Sequence, residues 1–346
     1  MGERTVSGAT LTLAIPTYRR RDTVVRAVED AATMLAGLPV AILVADNASD
    51  DGTIAVLEAL AARRHSPSLQ IVAGERNTGI LGNFRRLVEH CSTDHLLLLS
   101  DEVSPAGRDV IERLIARVQQ EAPDVLVPSP GVLGATVQRS DDIDPVDFWD
   151  ALNLLSGPVY RTEALKRSLA ACDAIADRRP IAGIWNLWPF YLTAVDIRIA
   201  GGTCRWHPED LHVQRERLPT AIEDPLFPER ASAPQPDALR ARYKTLEARI
   251  VQAEATAHYL SARRDDPARP LDRAGRATLD AFVEHHEERL FSTIEKRIRD
   301  DHAILHPAFV SGARRTHGIG ARLRDPLAVL RGRGLRARFG RRRRDR

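Results

Sequence analysis

The chain has 346 residues, enough for one large domain or two smaller ones with ample core. Its 50 basic and 47 acidic residues leave a formal net charge of +3, but residues 314–346 hold thirteen Arg and two Asp, a net of +11, so residues 1–313 carry −8. Cys91, Cys172 and Cys204 are odd in number and far apart, supporting neither a disulfide framework nor a zinc cluster and suiting a reducing cytoplasm; no run approaches the roughly 18 apolar residues of a bilayer span, and residues 1–10 lack the apolar region of a signal peptide.

Residues 11–15 form a strand closed by Pro16, and Asp22 then caps a helix whose apolar Val24, Val25, Val28, Ala31, Ala32 and Leu35 recur at helical spacing. A second strand, residues 40–45, ends in Asp46-Asn47-Ala48-Ser49-Asp50-Asp51-Gly52-Thr53, followed by a helix marked by Ile54, Leu57, Leu60 and Ala61. The third strand, 69–73, leads into Gly74-Glu75-Arg76-Asn77-Thr78-Gly79 and a helix over 81–90. Leu96 to Leu99 are too few for a helix core and read as a strand buried on both faces, running straight into Ser100, Asp101 and Glu102. Those acids are a site for a hard cation, or else Ser100 caps a helix starting near residue 107 and both acids are merely solvated.

Alternating strands and helices imply right-handed crossovers and a largely parallel sheet, so all four strand exits share one edge. Ligands bind at such an edge. Helix 111–120 and strand 125–127 follow; the pattern weakens through 128–130 and the acidic stretch 141–150, then returns with a strand through Ser156-Gly157-Pro158-Val159-Tyr160 and a helix over 162–172. Trp185, Trp188, Phe190 and Tyr191 are either core or a platform for a sugar ring. Pro-rich 218–236 is a connection, and 237–303 reads as two or three amphipathic helices separated near Pro267 to Pro270.

Four segments in order, Ile15-Pro16-Thr17-Tyr18, Ala45 to Thr53, Asn77-Thr78-Gly79 with Gly82-Asn83-Phe84, and Leu99-Ser100-Asp101-Glu102, resemble family 2 glycosyltransferases, GT-A enzymes that use nucleotide sugars. The Asn-Phe pair and Ser156 to Arg161 look most like the abequosyltransferase branch. The resemblance is good over 9–110, thin over 152–216 and absent beyond. It implies an α/β GT-A domain, Rossmann-like with a mostly parallel central sheet, over 1–217 (nucleotide-sugar half 1–127, acceptor half 128–217), then a linker 218–236, a helical region 237–305 and a basic tail 306–346.

The same resemblance implies that Pro16, Thr17 and Tyr18 line a base pocket and that Asp46 and Asn47 reach base and ribose. Asn47 stands where Asp is common, adding an amide donor that changes base preference. Arg76 and Asn77 would sit near ribose or diphosphate, with Gly79 and Gly82 admitting close backbone approach and Asn83 and Asp101 completing the donor site. Asp51 is a turn residue or cap. Glu102 takes the metal-binding position of the family's Asp-any-Asp motif, implying a divalent cation, Mn²⁺ or Mg²⁺, that neutralises the departing nucleoside diphosphate.

The acidic pair that supplies the family's general base is replaced by Ile184 and Trp185. Glu209 and Asp210 are the leading substitutes and Asp196 stands behind them, while His207 or His212 could complete a metal site. The implied activity is transfer of a sugar, a deoxysugar included, from a nucleotide donor to a hydroxyl of a glycan, lipid-linked saccharide or secondary metabolite, with inversion, as a hexosyltransferase. The alternative is a catalytically degenerate GT-A module that binds a nucleotide sugar or a partner protein. A sugar pyrophosphorylase would carry a Gly-rich phosphate loop after the first strand, and Pro16-Thr17-Tyr18-Arg19-Arg20 has no glycine.

The amphipathic 237–303 segment suits a homodimer interface, an acceptor platform or a lid. The tail alternates Leu323, Leu327, Val329, Leu330, Leu335 and Phe339 with Arg, which suits peripheral contact with anionic lipid on the inner face of a membrane or a solvated tail, with no specific nucleic acid. Arg- and Ala-rich composition fits a high-GC bacterial genome.

Overall fold

The computed structural model describes residues 8–63, 67–128, 156–178, 189–214 and 259–285. The chain divides into two compact units, one of Met1–Ile222 with Val251–Glu284 and one of Glu223–Ile250 with His285–Arg346. The elements that follow lie in the first, up to Glu284. The 218–236 connection, the aromatic cluster at 185–191, most of the helices expected over 237–303 and the basic tail fall outside the described residues or their described side chains.

Strand β1 (Leu11–Thr17) leads through α1 (Arg21–Met34) to β2 (Val40–Asp46), then α2 (Thr53–Arg63), β3 (Ser68–Ala73), α3 (Gly79–His90) and β4 (His95–Leu98). There follow β5 (Val103–Pro105), α4 (Arg108–Glu121), β6 (Val125–Pro128), β7 (Val159–Arg161), α5 (Thr162–Arg178), α6 (Pro189–Ile199), β8 (Cys204–His207), β9 (His212–Gln214) and α7 (Arg273–His285). The central sheet runs β3-β2-β1-β4-β7-β6-β8, and β5 pairs with β9 in a separate ribbon. β1, β2, β3 and β4 are parallel neighbours and β8 is parallel to β6, while β7 runs antiparallel to both β4 and β6. The expected α/β fold with a mostly parallel sheet is the observed one.

Burial on both faces explains the unbroken apolar runs. Leu96 and Leu98 project to one core layer with Ala14, Leu43, Phe84 and Tyr160, whereas Leu97 and Leu99 project to the other with Leu13, Ile15, Ile42 and Val44. Helices α1 and α4 cover the second layer with Val24, Val28, Ile111 and Leu114; α3, α5 and α6 cover the first with Leu87, Leu165 and Val195. Tyr259 and Phe282 join that first layer, so the 259–285 segment packs on the α5 and α6 side.

Three local expectations are corrected. Asp22 lies inside the first turn of α1 and pairs with Arg21; the cap residue is Arg20, with no side-chain cap bond. Ser100 does not cap α4, whose cap residue is Gly107. The strand expected over 156–160 is β7, Val159–Arg161, because Gly157, at φ +109°, turns the chain into it.

Candidate functional site

Adjacent parallel strands deliver Thr17, Asp46 and the 99–102 turn to one edge. Backbone bonds stitch the exits together: Asn47 N donates to Thr17 O at 3.0 Å, Gly74 N to Asp46 O at 2.8 Å and Leu99 N to Ala14 O at 2.9 Å. Pro16 is half-buried at the end of β1 and Tyr18 half-buried just beyond it, with the Arg19 guanidinium 5.3 Å from the Tyr18 ring centroid.

The loops after β1 and β2 are fastened to each other. Arg19 and Ala48 adopt positive φ of 52° and 64°, uncommon for residues with a Cβ and persisting where surrounding contacts hold them. Arg19 N donates to Ser49 Oγ at 2.7 Å and its side chain pairs with Asp50 at 2.8 Å. Asp46, 1% exposed, accepts from Ser49 N at 2.8 Å and Ser49 Oγ at 2.5 Å. Asp51 bridges two helix starts, accepting from Arg21 N and Thr53 N, each at 3.1 Å, and from Thr53 Oγ1. Burial opposes ionisation of Asp51, yet these donors outweigh it and hold its pKa below the ordinary value.

Asn47 is buried and fastens the 76–79 loop. Its Nδ2 donates to Asn77 Oδ1 at 2.6 Å and Gly79 O at 3.2 Å; its Oδ1 accepts from Thr78 N at 3.0 Å and Arg86 Nη1 at 3.1 Å. Gly79 holds φ +73°, and at Gly82 an added Cβ would lie 2.0 Å from Thr78 Oγ1, so both positions require glycine. Asn83, 3% exposed, donates Nδ2 to Thr17 O at 3.2 Å and Ala45 O at 2.8 Å, tying α3 to the ends of β1 and β2. Arg76 and Asn77 lie exposed at the rim. Arg86 makes its bonds to neutral acceptors, Asn47, Asn83, Thr78 Oγ1 and Arg76 O.

The acids of the 100–102 turn sit beside β1. Thr17 Oγ1 donates to Asp101 Oδ2 at 2.8 Å, and Arg20 Nη1 lies 3.1 Å from Asp101 Oδ1 and 2.6 Å from Glu102 Oε1. Ser100 N donates to Ser156 Oγ at 2.9 Å, anchoring the turn to the approach of β7. Asp101 is 4% exposed, and burial pushes its carboxyl above the ordinary value against the pull of Arg20 and Thr17. Burial disfavours the Arg20 charge, but Asp101 and Glu102 outweigh it and raise its pKa.

The donor set fits a cation, because Asp101 and Glu102 already converge on one positive centre, Nη1 of Arg20. Among the described residues no three His, Cys, Asp or Glu side chains gather where a metal ion could sit, so a divalent ion here would take further oxygen ligands from diphosphate and water.

Beyond the acidic turn, register sets Gln214 against Val103 and His212 against Pro105, and Ala106 N donates to Leu211 O at 3.0 Å, so Asp210 leads into the ribbon. Both oxygens of Glu209 are engaged by Arg113, at 2.9 and 2.5 Å. Asp196 is buried between Ser168, Tyr259 and Arg269, at 3.1, 2.6 and 3.2 Å. His207, 2% exposed at the end of β8, has no hydrogen-bond partner among the described residues at either ring nitrogen; burial, with Arg117 nearby, brings its pKa to about 4. His212 is also lowered by burial.

Sequence reasoning missed Arg20, Arg86 and Ser156. Arg20 stands three residues beyond Thr17, at the strand exit next to the acidic turn, and only the adjacency of β1 and β4 reveals that it faces the acids.

The strand order and the converged loops agree with a comparison of the sequence itself. Residues 12–142 match the family model for glycosyl transferase family 2. The matched segment contains every strand exit described above from Thr17 to Glu102. The mannosyltransferase PcManGT from Pyrobaculum calidifontis, solved in complex with GDP-Man and Mn²⁺, is 14% identical over 94% of this chain and 81% of its own, with a TM-score of 0.51, a likeness of fold. TarS 1-349 from S. aureus, in complex with UDP-GlcNAc, is 13% identical over 80% of this chain and 90% of its own, TM-score 0.43. Glucosyl-3-phosphoglycerate synthase from Mycobacterium tuberculosis, in complex with Mn²⁺, UDP and glucosyl-3-phosphoglycerate, is 13% identical over 76% and 85%, TM-score 0.42. No curated protein matches the chain.

Proposed function

We propose that the chain is a nucleotide-sugar-dependent glycosyltransferase of the hexosyltransferase class that moves a sugar, a deoxysugar among the candidates, to a hydroxyl of a glycan, lipid-linked saccharide or secondary metabolite with inversion. The observation that carries the reading is the meeting of the four strand exits within the segment that the family 2 model matches, with Asp101 bonded to Thr17 and both Asp101 and Glu102 paired with Arg20. Pro16, Thr17 and Tyr18 form one wall of the donor site and Asp46 and Asn47 its floor, held rigid by Ser49, Asn77 and Asn83. Arg76 and Asn77, exposed at the rim, meet ribose or diphosphate. Rigid positioning of this kind lowers the barrier by holding the donor ready for in-line attack.

Asp101 and Glu102 are the pair that would hold a divalent cation, which when bound neutralises charge growing on the leaving diphosphate. Thr17 fixes the Asp101 carboxylate through a 2.8 Å bond, so its orientation is set before the donor arrives. The test is release of nucleoside diphosphate from a panel of UDP-, GDP-, CDP- and dTDP-sugars with Mn²⁺. Wild type turns over one donor, and Glu102→Gln lowers the rate about 100-fold, the scale of losing one electrostatic contact. Donor binding with no release by wild type would make the chain a binding module.

No helix among the described residues is long and apolar enough to cross a membrane. The Arg-rich segment 314–346 supports a further reading, peripheral attachment to anionic lipid on the cytoplasmic side, at about 1 kcal/mol per basic residue near the surface. Replacing Arg341, Arg342, Arg343 and Arg344 by Gln then weakens co-sedimentation with phosphatidylserine vesicles, and unchanged co-sedimentation rejects the attachment.

A further inference from the structure

Three consecutive arginines follow Tyr18, and each turns to a different partner. Arg19 goes to Asp50 and Arg21 to Asp22, both pairs at 2.8 Å on the exposed rim. Arg20 alone turns inward, Nη1 reaching Asp101 Oδ1 at 3.1 Å and Glu102 Oε1 at 2.6 Å, with 29% of its side chain exposed. Its backbone is fixed at the start of α1, where Arg20 O accepts from Val24 N at 2.9 Å. The guanidinium is thus an internal cation between the two carboxylates that would hold an external one.

We propose that Arg20 guards the acidic pair: it occupies the cation position until a nucleoside diphosphate arrives, so that a divalent ion binds together with the diphosphate and not alone. The proposal rests on the reading of this cleft as a nucleotide-sugar site. A divalent ion arriving alone meets one positive and two negative side chains, a pair already half neutralised, and must leave a partly buried guanidinium without its carboxylates. An ion arriving with a diphosphate offers the displaced guanidinium phosphate oxygens that match its planar fork. Every charge then keeps a partner. Linkage requires the effect to be mutual, with ion and diphosphate each raising the other's affinity.

The test uses Mn²⁺ alone, with free ion read by electron paramagnetic resonance during titration of the full chain. Wild type binds Mn²⁺ more weakly than about 1 mM. Arg20→Gln, which keeps a polar stem and removes the charge, binds it at least about tenfold more tightly. Arg20→Lys retains a cation and binds as weakly as wild type, and Arg20→Gln combined with Glu102→Gln loses the gain, locating the ion on this pair. Arg20→Gln binding no more tightly than wild type overturns the proposal. So does micromolar binding of Mn²⁺ by wild type alone, a result that needs no variant to fold. Because this readout contains no nucleotide, its failure leaves the donor reading standing. Conversely, failure of every nucleotide sugar to bind removes the donor reading without altering the Arg20 comparison.

Discussion

Asn83 shows how a single amide can hold a ligand site without touching a ligand. It is buried, and its Nδ2 serves two backbone carbonyls, Thr17 O and Ala45 O, at the ends of neighbouring strands. Asn83→Leu leaves the Ala45 carbonyl without that donor, at a cost of about 1–3 kcal/mol in a denaturant titration, and weakens donor binding with it. An unchanged midpoint would show that the amide is dispensable. His207 gives the pH dependence at this scale. Its folded pKa, about 4, lies below the ordinary imidazole value of 6.5, so the unfolded chain binds the proton first as pH falls. Its contribution to stability is complete above about pH 6.5 and is lost progressively toward pH 4, up to about 3 kcal/mol. His95 and His212 are lowered by burial and act in the same direction, so His207→Phe shrinks this slope without removing it. An identical slope in the variant would place the titration elsewhere.

At the scale of elements, strands were legible because their signal is local. Leu96 to Leu99 alternate between two core layers, which is why the run has no polar residue. The exits of β1, β2 and β4 share an edge because alternating strands and helices make the strands parallel, and that too could be read in advance. Strand order could not. Arg20, Asp101 and Thr17 meet only because β1 lies beside β4, a pairing of residues more than 80 positions apart that no periodicity encodes. For the same reason Asp196 could be named from the sequence as a trailing candidate for the base. It is the anchor of a clasp in which Tyr259, Arg263 and Arg269 bind the 259–285 segment to α5 and α6, with Arg263 Nε 3.3 Å from Asp196 Oδ1. Asp196→Ala leaves two guanidinium groups without their shared carboxylate and destabilises the fold by about 3–5 kcal/mol, measured as a lowered urea midpoint. A loss below about 1 kcal/mol would mean that the arginines find other partners.

For the whole molecule, the described part of the candidate donor site is built on one edge of the central sheet. We keep Asp210, which leads into the β5–β9 ribbon just beyond the acidic turn, as the proposed general base, so Asp210→Asn lowers turnover about 100-fold or more with donor affinity intact, whereas Glu209 is already held by Arg113. Near-normal turnover in Asp210→Asn would take the base out of that loop. The central claim is that the edge binds a nucleotide sugar, and its most direct test is a thermal-shift panel of UDP-, GDP-, CDP- and dTDP-sugars with Mn²⁺ or Mg²⁺. A ligand at 100 times its dissociation constant adds about 2.7 kcal/mol to the folded state, so one donor class raises the melting temperature and the shift diminishes in Glu102→Gln. No shift with any donor would contradict the account.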